Sequence, residues 1–437
     1  MKAIVKGEIQ VPKHNISKEM LQAYTYKQKI FGRDYEKTIR NYRKDKDFYY
    51  FPRDLTKFRK HLNTPFEYHT SQGRSISFEM KFKPLSHQVE PINDIVSAFK
   101  GRLNVLFKAP TRFGKTFSVV SIINKLKTNA LIIVDKKLLV EQFVEDTYEY
   151  STATISELTA KTIKEYSKLS DIYITTFQFL HSNPLLLNKI KDDFGIVVVD
   201  ECHSLVADTY RKVLYSVNSR YRLGVSATPT SKAHGLTPLI TDSFEEVKVE
   251  GKYNGIEVDV YTYRLPRQYS LDMDKPISPQ YTNYFLLQDT IYRIEDLLDS
   301  LKGYRVMLAI PNQTVQNRYA DLAQSLGFKV GIMNSEPHNL KVKNETLDKF
   351  KEGELDLIVG LGQLMKGVSA PIEVIVDFFA VGNSEATEQL VGRARTVFEG
   401  RKCAKYIQLT SKYTTNKNDK VLKYLNNLDF TNFKGAL

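Results

Sequence analysis

Cysteine is scarce in this chain: 437 residues hold two, Cys202 and Cys403, and neither stands in a Cys-x-x-Cys pair. That excludes a disulfide framework and a cysteine-rich zinc module, and it points to a reducing, cytoplasmic compartment. No run of about 18 apolar residues is present, so no segment reads as membrane-spanning and no membrane partner is expected. The opening Met1-Lys2-Ala3-Ile4-Val5-Lys6-Gly7-Glu8 places charge inside the would-be apolar region of a leader, so it does not read as a secretory signal. Internal repeats and low-complexity tracts are missing as well. The length suffices for two to three domains, each able to bury a core.

What the chain has in excess is positive charge, unevenly spread. Residues 1–83 carry 19 Lys and Arg against nine Asp and Glu, which is +10 of the net +13. The same stretch holds seven Tyr and seven Phe, among them Phe48-Tyr49-Tyr50-Phe51. Basic residues interleaved with aromatics suit a surface that neutralises phosphates and stacks on bases. A small domain with an aromatic core and a solvated basic face has the same composition. Lys44, Lys46, Arg53, Lys57, Arg59 and Lys60 are the candidates for contact with nucleic acid. Locally, the pattern predicts a strand over Ala3–Val11 and a helix from near Ser17, with Ser17 as its cap.

Residues 109–116 read Ala-Pro-Thr-Arg-Phe-Gly-Lys-Thr. They follow the apolar run 103–107 and precede a helical pattern over 117–126, so a phosphate-binding loop falls between a buried strand and a helix N-terminus. Backbone N–H groups of Thr111, Arg112, Phe113 and Gly114 can then converge on phosphates, with Lys115 reaching the terminal ones and the Thr116 hydroxyl available to Mg²⁺. The first glycine usual in such loops is Ala109 here. A tight turn with an exposed lysine would look the same in isolation.

The second constellation is Asp200-Glu201-Cys202-His203, directly after Ile196-Val197-Val198-Val199. A carboxylate at the carboxyl end of a buried parallel strand lies where doubly wound sheets bind ligands. Asp200 suits a hydrated Mg²⁺, and Glu201 suits the orientation or deprotonation of an attacking water. The bland alternative is an acidic helix cap after a strand. Cys202 reads as a small packed side chain.

Asp-Glu-Cys-His followed by Ser226-Ala227-Thr228-Pro229 resembles motifs II and III of the superfamily 2 helicases. Loops that begin with Ala are common in that family. The resemblance continues in order along residues 84–396. Pro84-Leu85-Ser86-His87-Gln88 resembles the upstream motif whose Gln reads adenine. Residues 131–143, with Gln142, resemble motif Ia, and Ile174-Thr175-Thr176-Phe177-Gln178 resembles the next motif that contacts nucleic acid. Residues 360–369, with Gln363 and Gly367, resemble motif V, and Gln389-Leu390-Val391-Gly392-Arg393-Ala394-Arg395 resembles motif VI. Two positions depart. Thr396 stands where a second arginine is frequent, and Ser369 stands where many members carry Asp. A serine there is similar to the phage UvsW-like branch.

The resemblance implies an α/β fold with two RecA-like parallel-sheet lobes forming an ATP cleft, plus a small basic N-terminal α/β domain. The expected boundaries are 1–83 for that domain, 84–245 for lobe 1, 246–279 for a β-rich connection and 280–437 for lobe 2. It implies ATP and Mg²⁺ as cofactors. Lys115, Asp200, Glu201, Arg393 and Arg395 are the expected catalytic residues, with Gln88 and residues 111–116 around the nucleotide. His203, Ser226, Thr228 and Gln389 are the expected coupling residues. Gln142, Thr175, Thr176, Gln178, Gln363 and Gly367 are the expected contacts to nucleic acid. The function it implies is a DNA helicase acting on branched or forked DNA. An RNA or hybrid helicase and the translocating subunit of a restriction system stand as alternatives. Glu246-Val247-Lys248 matches Glu-x-Lys, but Asp242 lies too near for a nuclease set. A non-hydrolysing clamp would be expected to lack one of Lys115, Glu201 and Arg393, and all three are here.

Overall fold

The computed structural model describes residues 2–29, 36–101, 104–110, 113–162, 166, 169–228, 236–244, 249–251, 256–266, 277–333, 340–361, 370–378, 384–395, 403–411, 415–428 and 431–437. The chain divides into two compact units, 1–253 and 254–437.

Unit 1 is built on a seven-stranded parallel sheet. Its spatial order is Ile155–Glu157, Ile172–Thr176, Ala130–Val134, Ile196–Asp200, Tyr221–Ser226, Asn104–Lys108 and Val249–Glu250. Every neighbouring pair runs parallel. Ala130-Leu131-Ile132-Ile133-Val134 is fully buried along its whole length, as a parallel strand covered on both faces must be. Helices Ser86–Gly101, Lys115–Leu126 and Lys137–Tyr150 supply one apolar layer and helices 177–190 and 208–216 the other. Each fully buried Val, Leu or Ile in these layers contributes about 1.5–3 kcal/mol.

The basic N-terminal stretch forms its own five-stranded sheet within unit 1, plus a separate hairpin of Thr25–Lys29 and Glu36–Arg40. Instead of one strand over Ala3–Val11 there are two, Ala3–Val5 and Ile9–Pro12, folded back antiparallel about Lys6-Gly7-Glu8. The turn is set from outside: a Cβ on Gly7 would stand 2.0 Å from the Tyr215 carbonyl oxygen. Ser17 does cap helix Lys18–Ala23, its hydroxyl accepting from the Met20 N–H at 3.1 Å. Many of the aromatics are core, with Tyr24, Phe51 and Phe58 fully buried.

Two of the six basic residues expected to face nucleic acid face inward instead. Arg53 is fully buried and donates to Asn104 Oδ1 at 2.9 Å and to the Ser219 carbonyl at 2.6 Å. Lys57 pairs with buried Asp242 at 2.6 Å, and Tyr26 and Asn41 donate to the same carboxylate. A buried charge survives only when paired and hydrogen-bonded, and these two fasten the N-terminal sheet to the larger one. Lys44, Lys46, Arg59 and Lys60 are exposed.

Unit 2 holds a second seven-stranded parallel sheet, ordered Val330–Met333, Leu357–Leu361, Val306–Ile310, Val374–Asp377, Cys403–Thr410, Glu257–Arg264 and Thr431–Ala436. The stretch 246–279 contributes to both sheets: Val249–Glu250 edges the first, and Glu257–Arg264 lies inside the second, between Cys403–Thr410 and Thr431–Ala436. Among the described residues no helix is long and apolar enough to cross a membrane.

Candidate active site

The site assembles at the carboxyl ends of three adjacent strands. Strand Asn104–Lys108 leads into buried Ala109, and Gly114 then starts helix Lys115–Leu126. Gly114 adopts φ +84°, and a Cβ there would lie 2.3 Å from Gln88 Nε2, so conformation and space both demand glycine. Gln88 is itself buried; its Nε2 donates to the Phe113 carbonyl at 2.8 Å and its Oε1 accepts from the Leu85 N–H at 2.9 Å. Expected to read adenine, this side chain here braces the loop. Phe113 is fully buried edge-on against Phe107 and His87, so only its backbone faces the site. Thr111 and Arg112 lie outside the described residues.

Strand Ile196–Asp200, separated from Asn104–Lys108 by Tyr221–Ser226, ends in the acidic pair. Glu201 sits at φ +48°, one of two non-glycine residues with positive φ among those described. Such a backbone is held only where its surroundings over-determine it. Lys115 Nζ lies 2.9 Å from Glu201 Oε1. Ser226, last residue of the third strand, donates its hydroxyl to Glu201 Oε2 at 3.1 Å and accepts from the Thr228 N–H at 3.1 Å. His203 Nδ1 lies 3.1 Å from Ser226 Oγ and 3.3 Å from Glu201 Oε2. With the serine proton directed to Glu201, Nδ1 must carry the hydrogen in these contacts.

The two carboxylates titrate in opposite directions. Burial raises both, but Lys115 and His203 outweigh it at Glu201 and hold that group well below the usual carboxylate range. Burial prevails at Asp200, which is pushed up although Lys115 opposes, with the charge of Glu201 adding to the rise.

One residue was missed from sequence. The Thr116 hydroxyl is engaged by the carboxylate of Asp146, on helix Lys137–Tyr150, and Asp146 is pushed up to about 6 by burial, with Glu149 and Glu145 adding. The available signal was its spacing, three residues after buried Phe143 and beside buried Thr147.

The remaining expected residues are dispersed. Thr175 is buried and donates to the Leu158 carbonyl at 2.8 Å, and Thr176 caps the following helix by accepting from the Phe179 N–H. Neither hydroxyl is displayed for nucleic acid, whereas Gln178 is exposed and Gln142 half-buried. Thr228 is buried beside Ser226. In unit 2, helix Ser384–Arg393 carries Gln389 and ends in half-buried Arg393. Arg395 is buried and its Nε donates to the Ile256 carbonyl at 3.4 Å. Gln363, Gly367 and the side chain of Gln389 lie outside the described residues.

These donors fit a magnesium-bound nucleoside triphosphate. A lysine and a glycine-opened helix N-terminus suit phosphate oxygens. Magnesium bound with substrate phosphates needs only one or two carboxylates from the protein, which Asp200 and Glu201 match together with the Thr116 hydroxyl.

Residues 81–231 match the family described as type III restriction enzyme, res subunit. The chain is similar to superfamily 2 helicases. It is 25% identical over 183 residues to a protein described as helicase 161L of Invertebrate iridescent virus 6, covering 41% of each chain. It is 26% identical over 200 residues to one described as an ATP-dependent RNA helicase, QP509L, of African swine fever virus, covering 44% of this chain and 38% of that one. The chain thus spans about two fifths of the length of these viral relatives. In fold, it resembles a fragment described as an HsdR subunit of a type I restriction enzyme from Vibrio vulnificus, with a TM-score of 0.58 at 18% identity over 82% of this chain and 69% of that one.

Proposed function

We propose that this chain is an ATP-dependent helicase or translocase that remodels branched DNA. The observation that carries the reading is the 2.9 Å contact between Lys115, on the phosphate loop, and Glu201, which follows the acidic strand Ile196–Asp200. Phosphate-binding and water-activating groups are then close enough to serve one substrate.

In this reading Lys115 and the helix N-terminus bind the phosphates, and Asp200 with Thr116 holds magnesium, which supplies charge neutralisation on the phosphoryl oxygens. Lys115 exchanges Glu201 for the phosphates, and the freed carboxylate orients the attacking water. Ser226 and His203 keep Glu201 aimed while that exchange occurs. Arg393 is assigned to the charge that builds on the transferred phosphoryl group. Arg395 is assigned to anchoring its own segment, because it is buried on the Ile256 carbonyl. Residues 1–83 are assigned to recognition of the nucleic acid, through exposed cations left after Arg53 and Lys57 turn inward.

Two other readings have support. The African swine fever virus relative is described as an RNA helicase, which favours RNA duplexes. The res subunit family and the HsdR fragment favour the translocating part of a restriction system. ATP hydrolysis on single strands, linear duplex, forks, four-way junctions and RNA duplexes, at matched phosphate concentration and fixed salt, separates them. Greatest stimulation by branched DNA with strand displacement is the expected result. Preference for RNA promotes the second reading, stimulation by linear duplex without strand displacement promotes the third, and no hydrolysis on any of them sinks the assignment.

A further inference from the structure

A cleft of about 600 Å³ opens in unit 1, away from the Lys115–Glu201 site, between the N-terminal sheet and helices 184–190 and 208–216. Six cationic side chains line it, Lys6, Arg40, Arg43, Lys191, Arg211 and Lys212, against two carboxylates, Glu8 and Asp208. Both carboxylates are already committed. Glu8 takes Arg43 through Nε at 2.7 Å and Nη2 at 2.5 Å, and Asp208 takes Arg211 at 3.2 Å and Lys212 at 2.7 Å. Lys6, Arg40 and Lys191 have no carboxylate partner among the described residues.

Holding three uncompensated cations around one concavity raises the energy of the free protein, and a bound polyanion relieves it. The aromatic lining, Tyr42 and Tyr50, adds flat surface, and Arg43 is held over the Tyr50 ring at 3.6 Å, which fixes its guanidinium. Arg40 ends the hairpin strand Glu36–Arg40 and is exposed. Several cations beside aromatics match the repeated charges and flat bases of one nucleic-acid strand better than an acidic peptide. The volume is that of a small-ligand pocket, so it admits a few nucleotides of a single strand and no duplex.

We infer that this cleft is a second nucleic-acid site, which grips the phosphodiester backbone of a single strand between the N-terminal sheet and helices 184–190 and 208–216. The inference deepens the proposed function by naming where residues 1–83 act. A strand held there is gripped entirely within unit 1, beside the helices that flank the acidic strand.

The test is fluorescence anisotropy of a fluorescein-labelled oligo-dT with the full chain, without nucleotide, across a salt series. The double variant R40E/K191E should bind at least about tenfold more weakly, with the slope of log affinity against log salt reduced by about 0.7 for each phosphate that is no longer neutralised. The variant K100E/K125E, which reverses two exposed charges elsewhere on unit 1, should bind as the parent does. The neutral pair K6Q/R40Q should fall between, and serves if the reversed pair fails to fold. Equal affinity in R40E/K191E and K100E/K125E overturns the inference. So does displacement of the oligonucleotide by polyglutamate or tripolyphosphate as effectively as by unlabelled oligo-dT at matched charge. Basal ATP turnover without nucleic acid should be unchanged in all three variants. A parent that binds through the cleft yet hydrolyses no ATP leaves the cleft standing and removes the motor, and the reverse result removes only the cleft.

Discussion

The two large sheets are the same sheet by topology and different ones by chemistry. Counted from the first strand of each, both run 3-4-2-5-6-1-7 in space, parallel throughout. Their fifth strands even end alike, in Val197-Val198-Val199-Asp200 and Val374-Ile375-Val376-Asp377. Beyond that residue they part. Asp200 is followed by Glu201, which meets Lys115, whereas buried Asp377 accepts a hydrogen bond from the Tyr406 hydroxyl at 2.7 Å. The first strand of the first sheet leads into Gly114-Lys115-Thr116; the first strand of the second leads into Leu265-Pro266. An Asp at that strand end is therefore insufficient. What makes a site is a cation and a second carboxylate delivered by the adjoining loops, with the sheet as scaffold.

Substitution at the first sheet's acidic pair breaks that contrast most severely. Glu201→Gln should lower ATP turnover by up to about 10⁴-fold, the upper range for loss of a positioned base, while nucleotide binding persists. Phosphate release and fluorescent-nucleotide titration measure the two. Asp377→Asn should leave turnover intact and cost about 1–3 kcal/mol of stability, since buried hydrogen bonding is weakened. Comparable losses of turnover in both variants would erase the chemical distinction between the sheets.

Unit 2 is expected to contribute catalysis through a residue off its strand ends. Arg393→Ala should reduce turnover by about 10³-fold with nucleotide affinity little changed, as loss of a cation needed only in the transition state does. Arg395→Ala should instead lower the unfolding midpoint, because that side chain is buried on a carbonyl. An exchange of these two phenotypes would reassign them.

The residues explain how much of this was legible beforehand. Buried parallel strands are near-continuous Val, Ile and Leu runs, so the strands at 105, 132, 172, 197, 306 and 357 could be read directly. The phosphate loop and acidic pair were legible because both need fixed residue types beside a strand end. The shared topology was not, because a parallel sheet constrains apolar character and leaves the actual residues free. The roles of Gln88, Arg53 and Lys57 were hidden for another reason. A buried polar side chain looks the same in sequence as an exposed one, and only its partners distinguish a brace from a contact. Asp146 was hidden in the same way.

The junction between the N-terminal sheet and the first large one offers a smaller effect with a pH signature. Lys57→Met leaves Asp242 buried with Tyr26 and Asn41 but without its cation, and should cost about 2–3 kcal/mol near pH 8. Burial already holds Asp242 above its ordinary 3.8, against the pull of Lys57, and removing Lys57 raises it further. A carboxyl whose folded pKa is raised contributes stability below the unfolded pKa and loses it as pH rises through the folded one. The penalty of Lys57→Met should therefore shrink from pH 8 toward pH 4, where Asp242 takes up a proton. Urea unfolding at both ends of that range checks the sign, and a penalty that grows on acidification would show that the pair is not what fastens the two sheets.

Ser226→Ala should have the mildest effect on chemistry, and it asks whether the third strand end senses the first two. The substitution removes one hydroxyl from Glu201 and the acceptor of the Thr228 N–H, while Lys115 and His203 still hold the carboxylate. A hydrogen bond of this kind is worth about 1 kcal/mol, which is under tenfold in rate. Basal ATP turnover should stay within that bound. Strand displacement per ATP should fall further than turnover itself, because Ser226 is the atom-level link between Glu201 and the backbone that continues to Thr228. An unchanged ratio of displacement to hydrolysis would make Ser226 a support for Glu201 and nothing more.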